Sequence, residues 1–275
     1  MKIFRFSGGE LHLGKKAFIM GILNVTPDSF SDGGEFFSAD SALTRAKEMI
    51  AQGADIIDVG AMSTRPGSAP ITPQEEIRRL APVLEGIGSL GNVIVSVDTV
   101  NHETAEFALS AGANIINDVS GYFDEKTASV IKKYSAGWIV THTGNVPSGT
   151  VVGYPDGVVR SVNDFFDEML KKCEDFGIAR ENICLDPGFG FAKTAEDNVE
   201  LLKNLKNVIR PDVAFLTGLS RKRFIGALTN VDDAKDRIIG TVAADLIALM
   251  SGSDFIRVHD VREAAESAAI FNSIL

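Results

Sequence analysis

Residues 18–34 read Phe18-Ile19-Met20-Gly21-Ile22-Leu23-Asn24-Val25-Thr26-Pro27-Asp28-Ser29-Phe30-Ser31-Asp32-Gly33-Gly34. An apolar run stops at Asn24, and a loop of Pro, Asp, Ser and Gly follows. A short apolar run bounded by turn formers reads as a buried strand. A buried strand that empties into a long polar loop is how a parallel sheet presents a site at its carboxyl edge.

The theme recurs outward from this stretch. Apolar runs fall at 17–23, 54–59, 93–98, 114–117, 137–141, 182–185, 213–217 and 254–258. Amphipathic helical patterns fall at 39–52, 73–88, 101–111, 126–134, 161–177, 195–206, 233–250 and 260–274. Strict alternation of strand and helix requires a parallel sheet. Eight such units within 275 residues leave no material for a second domain and predict a closed α/β (β/α)8 TIM barrel spanning 1–275. A doubly wound open sheet is the alternative. Residues 3–13 alternate Phe4/Phe6 and Leu11/Leu13 around Ser7-Gly8-Gly9, which predicts an N-terminal β-hairpin. The loops at 24–38, 60–72, 142–160, 186–194 and 218–232 are long and all follow strands, whereas returns such as Gln52-Gly53 and Ala111-Gly112 are tight. Function is therefore expected on the long-loop face.

Composition narrows the partners. A net charge of −10 argues against nucleic acid and anionic membranes, both of which reward basic surfaces. Residues 1–10 lack the apolar stretch of a secretory leader, and no window is long and apolar enough to span a membrane. Cys173 and Cys184 have no metal-ligand spacing and read as reduced thiols of a cytoplasmic protein.

The residues closing each run are Asn24, Asp58, Asp98, Asn117-Asp118, His142, Asp186, Ser220-Arg221-Lys222 and Arg257-Val258-His259. In a barrel these converge on one mouth. Capping explains single Asp or Asn residues, but not Lys, Arg and His at the last two strands. Asp98, Asn117 and Asp186 suit a flat heterocycle with several N–H groups. Arg65, Lys222, Arg257 and His259 suit an anion such as phosphate. Gly188-Phe189-Gly190-Phe191-Ala192-Lys193 matches neither a P-loop nor G-x-G-x-x-G, because Lys193 occupies the third glycine's place. His12 and His102 read as solvated or capping residues, His142 is a candidate for the mouth, and Trp138 reads as core.

The motifs, in order, are Asn24 to Gly34, Asp58-Val59-Gly60, Ser63-Thr64-Arg65-Pro66-Gly67, Ser96-Val97-Asp98-Thr99, Ile116-Asn117-Asp118, Leu185-Asp186-Pro187-Gly188-Phe189-Gly190-Phe191, Ser220-Arg221-Lys222 and Arg257-Val258-His259-Asp260-Val261. This set resembles the dihydropteroate synthases over nearly the whole chain after the hairpin. The resemblance implies a transferase of folate biosynthesis. It would join 6-hydroxymethyl-7,8-dihydropterin diphosphate to 4-aminobenzoate, giving 7,8-dihydropteroate and diphosphate, with sulfonamides competing for the second substrate's site. It implies that Asp98, Asn117, Asp186 and Lys222 hold the pterin, with Arg257 stacked on its face. Arg65, Arg257 and His259 would hold the diphosphate, with Asn24 on Mg2+; Asp32, on the adjoining loop, is a secondary candidate for the metal's outer shell. Thr64, Pro66, Phe191, Ser220 and Lys222 would shape the aminobenzoate site together with residues 27–34. Asn24, Arg65, Lys222, Arg257 and His259 are thus the expected catalytic group. A homodimer is also implied, and the Ala-, Ile- and Leu-rich segments 233–250 and 260–274 agree with it.

The chain departs from the family pattern at Met62, where many members have Glu, and at Thr141 and Thr143, where Met flanks the histidine. A pterin-dependent corrinoid methyltransferase would share the ring-binding set without an anion cluster. A non-catalytic pterin-binding protein would show erosion of Asn24 or the cations, which this sequence does not.

Overall fold

A computed structural model describes residues 2–25, 39–62, 71–91, 93–144, 146 and 150–275. The hairpin is β1 (Ile3–Phe6) and β2 (Gly9–His12), paired antiparallel. Eight parallel strands follow: β3 (Phe18–Asn24), β4 (Ile56–Gly60), β5 (Ile94–Asp98), β6 (Ile115–Asp118), β7 (Gly137–Thr141), β8 (Ile183–Asp186), β9 (Ala214–Thr217) and β10 (Phe255–Val258). They pair in chain order, and β10 pairs with β3 to close the barrel. The helices are α1 (Ala39–Gln52), α2 (Pro73–Gly88), α3 (His102–Ser110), α4 (Glu125–Tyr134), α5 (Val158–Phe176), α6 (Ala195–Lys203), α7 (Arg223–Thr229), α8 (Ile238–Ser251) and α9 (Val261–Asn272). Among the described residues no helix is long and apolar enough to cross a membrane.

Two alternating sets of strand residues build two cores, as the two-residue period of a strand requires. Ile57, Val59, Val95, Val97, Ile116, Trp138, Leu185, Phe215 and Ile256 face the helices in one cluster. Their neighbours Phe18, Met20, Ile56, Ile115, Ile139, Cys184, Leu216 and Phe255 fill the barrel interior in another. Phe4, Phe6 and Leu13 of the hairpin belong to that interior cluster, so the hairpin plugs the amino-terminal end of the barrel. The Phe4 ring meets Phe255 edge-on at 5.7 Å. Gly137 permits this approach, since a Cβ there would lie 2.7 Å from the Phe4 ring. With one end sealed by apolar side chains, only the carboxyl end is left to hold polar ones.

Differences from the sequence reading are local. The expected loop 218–232 contains α7, whose Gly226 breaks the helical pattern because a Cβ would sit 2.4 Å from Arg237 Nε. The pattern at 233–250 divides into a 3-10 turn, Ala234–Asp236, and α8. The pattern at 195–206 likewise divides into α6 and a 3-10 turn, Leu205–Asn207. Helix α5 begins earlier than expected, at Val158, after Gly157 turns with φ 87°.

Candidate active site at the carboxyl end of the barrel

Above the apolar layer the inward positions become polar. On β4, Ile56 faces inward, so Asp58 does too, and the same parity turns Ser96, Asp98, Asn117, Thr141, Asp186 and Arg257 toward the axis. Arg257 reaches across from β10. Its Nε donates to Asp58 Oδ2 at 2.7 Å, and its Nη2 donates to Asp98 Oδ2 at 2.7 Å. Asn117 Nδ2 donates to the same Asp58 oxygen at 3.0 Å. Burial opposes the Arg257 charge, yet Asp58 and Asp98 hold its pKa above the usual arginine range. Burial pushes Asp98 up to about 7 against the pull of Arg257, and the Asp58 carboxylate adds to the rise. The ring-binding and anion-binding groups expected from the sequence are therefore interlocked, with one guanidinium bridging two carboxylates.

This layer is not saturated. Among the described residues Asp58 Oδ1, Asn117 Oδ1, Ser96 Oγ and Thr141 Oγ1 are buried without hydrogen-bond partners. A buried polar atom without a partner costs about 1–3 kcal/mol. Several together on one axis mark the seat of a ligand rich in N–H groups.

On β8, Asp186 is buried and its Oδ1 accepts the Gly188 N–H at 2.8 Å. Burial raises its pKa, while that N–H and the Lys222 charge pull it down. Lys222, the residue before α7, is half-buried with its ammonium 4.6 Å from the Phe191 ring centroid. Burial lowers it to about 8, against Asp186. Thus Asp186, Lys222 and Phe191 come together as expected.

Ser220 Oγ accepts the His259 backbone N–H at 3.2 Å and lies 3.0 Å from Nδ1 of the same ring. The hydroxyl is free to donate to Nδ1, an arrangement that would leave the ring's own proton on Nε2. Burial, then Arg221 and Arg257, push His259 down to about 3. His259 is therefore a neutral N–H donor and not the cation expected from the sequence. Arg221 is turned away, with its Nε 2.9 Å from Asp260 Oδ2. His142 also departs from its expected place at the mouth. Its ring faces α5, with Nε2 3.2 Å from Ser161 Oγ, and helps to wall a cleft of about 670 Å³ off the barrel axis. Burial and the Lys193 charge hold it at about 3.

Asn24 stands half-buried at the end of β3, beside the Gly60 and Asp98 ends of β4 and β5. Thr64, Arg65 and Pro66 lie outside the described residues, as do Phe30 and Asp32. Met62 is described and half-buried, and Thr143 donates to the Ser120 carbonyl at 3.2 Å. Cys173 and Cys184 are free and buried, and Trp138 is core.

Two residues gained weight only from the structure. Asp58 was legible as a strand end, and its period-two relation to Ile56 was the signal for its inward role. Lys193, buried beneath the loop after β8, had no signal in spacing at all.

A family model described as pterin binding enzyme matches residues 20–259. A dihydropteroate synthase of Clostridium beijerinckii is 42% identical over 268 residues, covering 97% of this chain and 97% of its own length. The solved dihydropteroate synthase of Thermus thermophilus in complex with 4-aminobenzoate gives a TM-score of 0.88 at 40% identity, covering 100% of both chains. That of Burkholderia cenocepacia complexed with 7,8-dihydropteroate gives 0.89 at 35% identity, covering 99% of this chain and 96% of its own. By this family match and these full-length identities, the chain belongs to the pterin-binding enzymes, among the dihydropteroate synthases.

Proposed function

We propose that this chain joins 6-hydroxymethyl-7,8-dihydropterin diphosphate to 4-aminobenzoate, releasing diphosphate and forming 7,8-dihydropteroate. The observation that carries this reading is the row of unpartnered buried acceptors beside the Arg257 bridge. A pterin ring offers adjacent N–H donors to Asn117 and Asp186, and its face to the Arg257 guanidinium. Lys222 donates to the ring's acceptor edge from the opposite wall.

The diphosphate lies toward Asn24 and His259. His259 gives one N–H from Nε2, its orientation set by Ser220. Arg65 adds a cation from its loop, by resemblance. A Mg2+ would be held by Asn24, whose side-chain carbonyl at the end of β3 is a hard oxygen ligand. When bound, the ion supplies charge neutralisation to the diphosphate.

The methylene–oxygen bond breaks with its electron pair leaving on diphosphate. The electron-rich dihydropterin spreads the positive charge, and the buried carboxylates Asp58, Asp98 and Asp186 keep that charge favourable. The aniline nitrogen then donates its lone pair to the methylene carbon and loses a proton to solvent. A neutral aniline needs placement more than deprotonation, and Phe191, Ser220 and Lys222 provide one wall of its site, with Thr64 and Pro66 opposite by resemblance.

The free buried thiols support a reducing, cytoplasmic location. Seven exposed large apolar residues on α7, α8, α9 and the carboxyl terminus, Ile239 at 86% among them, support a homodimer through that face. One closed barrel supports a single functional domain over 1–275. Mass spectrometry of a reaction containing both substrates tests the reading. The mass of 7,8-dihydropteroate is expected, and its absence with intact, folded protein would overturn it.

A further inference from the structure

The loop after β8 is built around a buried ammonium that the reaction described above does not use. Lys193 is 6% exposed. Its Nζ lies 2.9 Å from His142 Nδ1, 3.1 Å from the His142 carbonyl, 2.9 Å from the Gly188 carbonyl and 3.2 Å from the Phe191 carbonyl. Three protons serve four acceptors, so one is shared. The His142 ring accepts at Nδ1, which puts its own proton on Nε2 toward Ser161. No carboxylate is within hydrogen-bond distance of this ammonium among the described residues. Burial lowers its pKa to about 7 against the pull of Asp186, and carbonyl dipoles and a neutral ring surround it.

The three carbonyls come from the end of β7, the first turn of the loop and its tip. One ammonium therefore ties two strand ends together. The loop backbone is unusual, with φ of 67° at Gly188, 77° at Gly190 and 52° at Ala192. Such a left-handed alanine persists only where its surroundings impose it. Asn198 holds the loop from the other side, accepting the Gly190 N–H at 2.7 Å. The loop in turn touches Lys222. The Phe191 ring carries the Lys222 ammonium at 4.6 Å, and a Cβ on Gly190 would sit 2.8 Å from Lys222 Cδ.

We propose that Lys193 is a positioning residue: it fixes the Phe191 carbonyl, and so places the Phe191 ring and Lys222 for the second substrate, with His142 as its neutral acceptor. This rests on the aminobenzoate site given under Proposed function. Lys193 is turned beneath the loop and touches neither substrate, so its effect is transmitted through Phe191. Of the pterin's inward acceptors, Asp58, Ser96 and Asn117 on β4, β5 and β6 are out of its reach, and Asp186, which meets the same Gly188, keeps its own bond to that N–H.

The test is Lys193→Met, of similar length but without charge or donors, with His142→Ala as a milder variant that removes one acceptor. Kinetics with each substrate varied separately, calorimetry with the pterin diphosphate alone and amide hydrogen exchange over residues 187–193 are read together. In Lys193→Met we expect the KM for 4-aminobenzoate to rise at least tenfold, pterin affinity to stay within threefold, and exchange in the loop to accelerate. In His142→Ala the same KM should rise about threefold. If Lys193→Met does not fold, the His142→Ala result decides. An unchanged KM for 4-aminobenzoate in a folded variant, or equal losses for both substrates, overturns the proposal. A parent protein that releases no diphosphate would instead defeat the functional reading, and unchanged loop exchange would then still refute the positioning role.

Discussion

Asp186 shows how one side chain serves both fold and site. Its Oδ1 holds the Gly188 N–H, which leaves Oδ2 for a ligand. Asp186→Asn can keep the Gly188 bond through its own carbonyl but presents N–H groups to a donor edge. Pterin affinity should fall by about 1.5–3 kcal/mol while the melting temperature barely moves. Calorimetry with the pterin alone checks this, and unchanged affinity would remove Asp186 from the site. The two histidines make a second test. Both are held at about 3 by burial first, well below an unfolded value near 6.5. Between those values the unfolded chain binds protons that the folded chain does not, so stability is full above pH 6.5 and declines as pH falls toward 3. His142→Gln should flatten part of that decline in thermal unfolding followed from pH 7 to 4, and an identical slope would contradict a neutral buried His142. At this scale the sequence exposed residue types at strand ends, and resemblance supplied their roles. Charge state was hidden, because it depends on burial: His259 read as a cation and is neutral. The anchor role of Asp58 was hidden for a similar reason, since it emerges only when Arg257 crosses the barrel.

Elements were the most legible level, because periodicity is written in consecutive residues. The patterns at 39–52 and 73–88 coincide with α1 and α2, and the eight runs coincide with the eight barrel strands to within two residues. What periodicity could not show was the short α7, interrupted by a glycine that tertiary packing demands. Nor could it show Asp245, midway along α8. This carboxyl is 1% exposed, and neither of its oxygens has a partner among the described residues. Burial raises its pKa well above the usual carboxylate value. Its folded form therefore keeps a proton that the unfolded chain releases, and stability is lost as pH rises above about 3.9. Asp245→Ala should stabilise the protein at pH 8 by about 1–3 kcal/mol and by less at pH 5. Differential scanning calorimetry at both pH values reads this directly, and a lower melting temperature at pH 8 would show that the carboxyl has a stabilising partner.

For the whole molecule, eight strand-and-helix units and a hairpin are legible in the sequence, whereas the hairpin's place as a plug is not, because it depends on Phe4, Phe6 and Leu13 packing into the barrel interior. The dimer is less legible, because an exposed apolar face does not name its partner. Ile239→Glu on the exposed face of α8 should give a monomeric mass by light scattering at micromolar concentration, where the parent gives twice that mass. A parent that is already monomeric would contradict the dimer. In the proposed reaction the barrel mouth ionises a pterin diphosphate and delivers it to an aniline. Continuous measurement of diphosphate release, with and without 4-aminobenzoate and with and without excess chelator, tests it most directly. Rapid release is expected only when the pterin diphosphate, 4-aminobenzoate and Mg2+ are all present. Full release in chelator, or release that ignores 4-aminobenzoate, would contradict it.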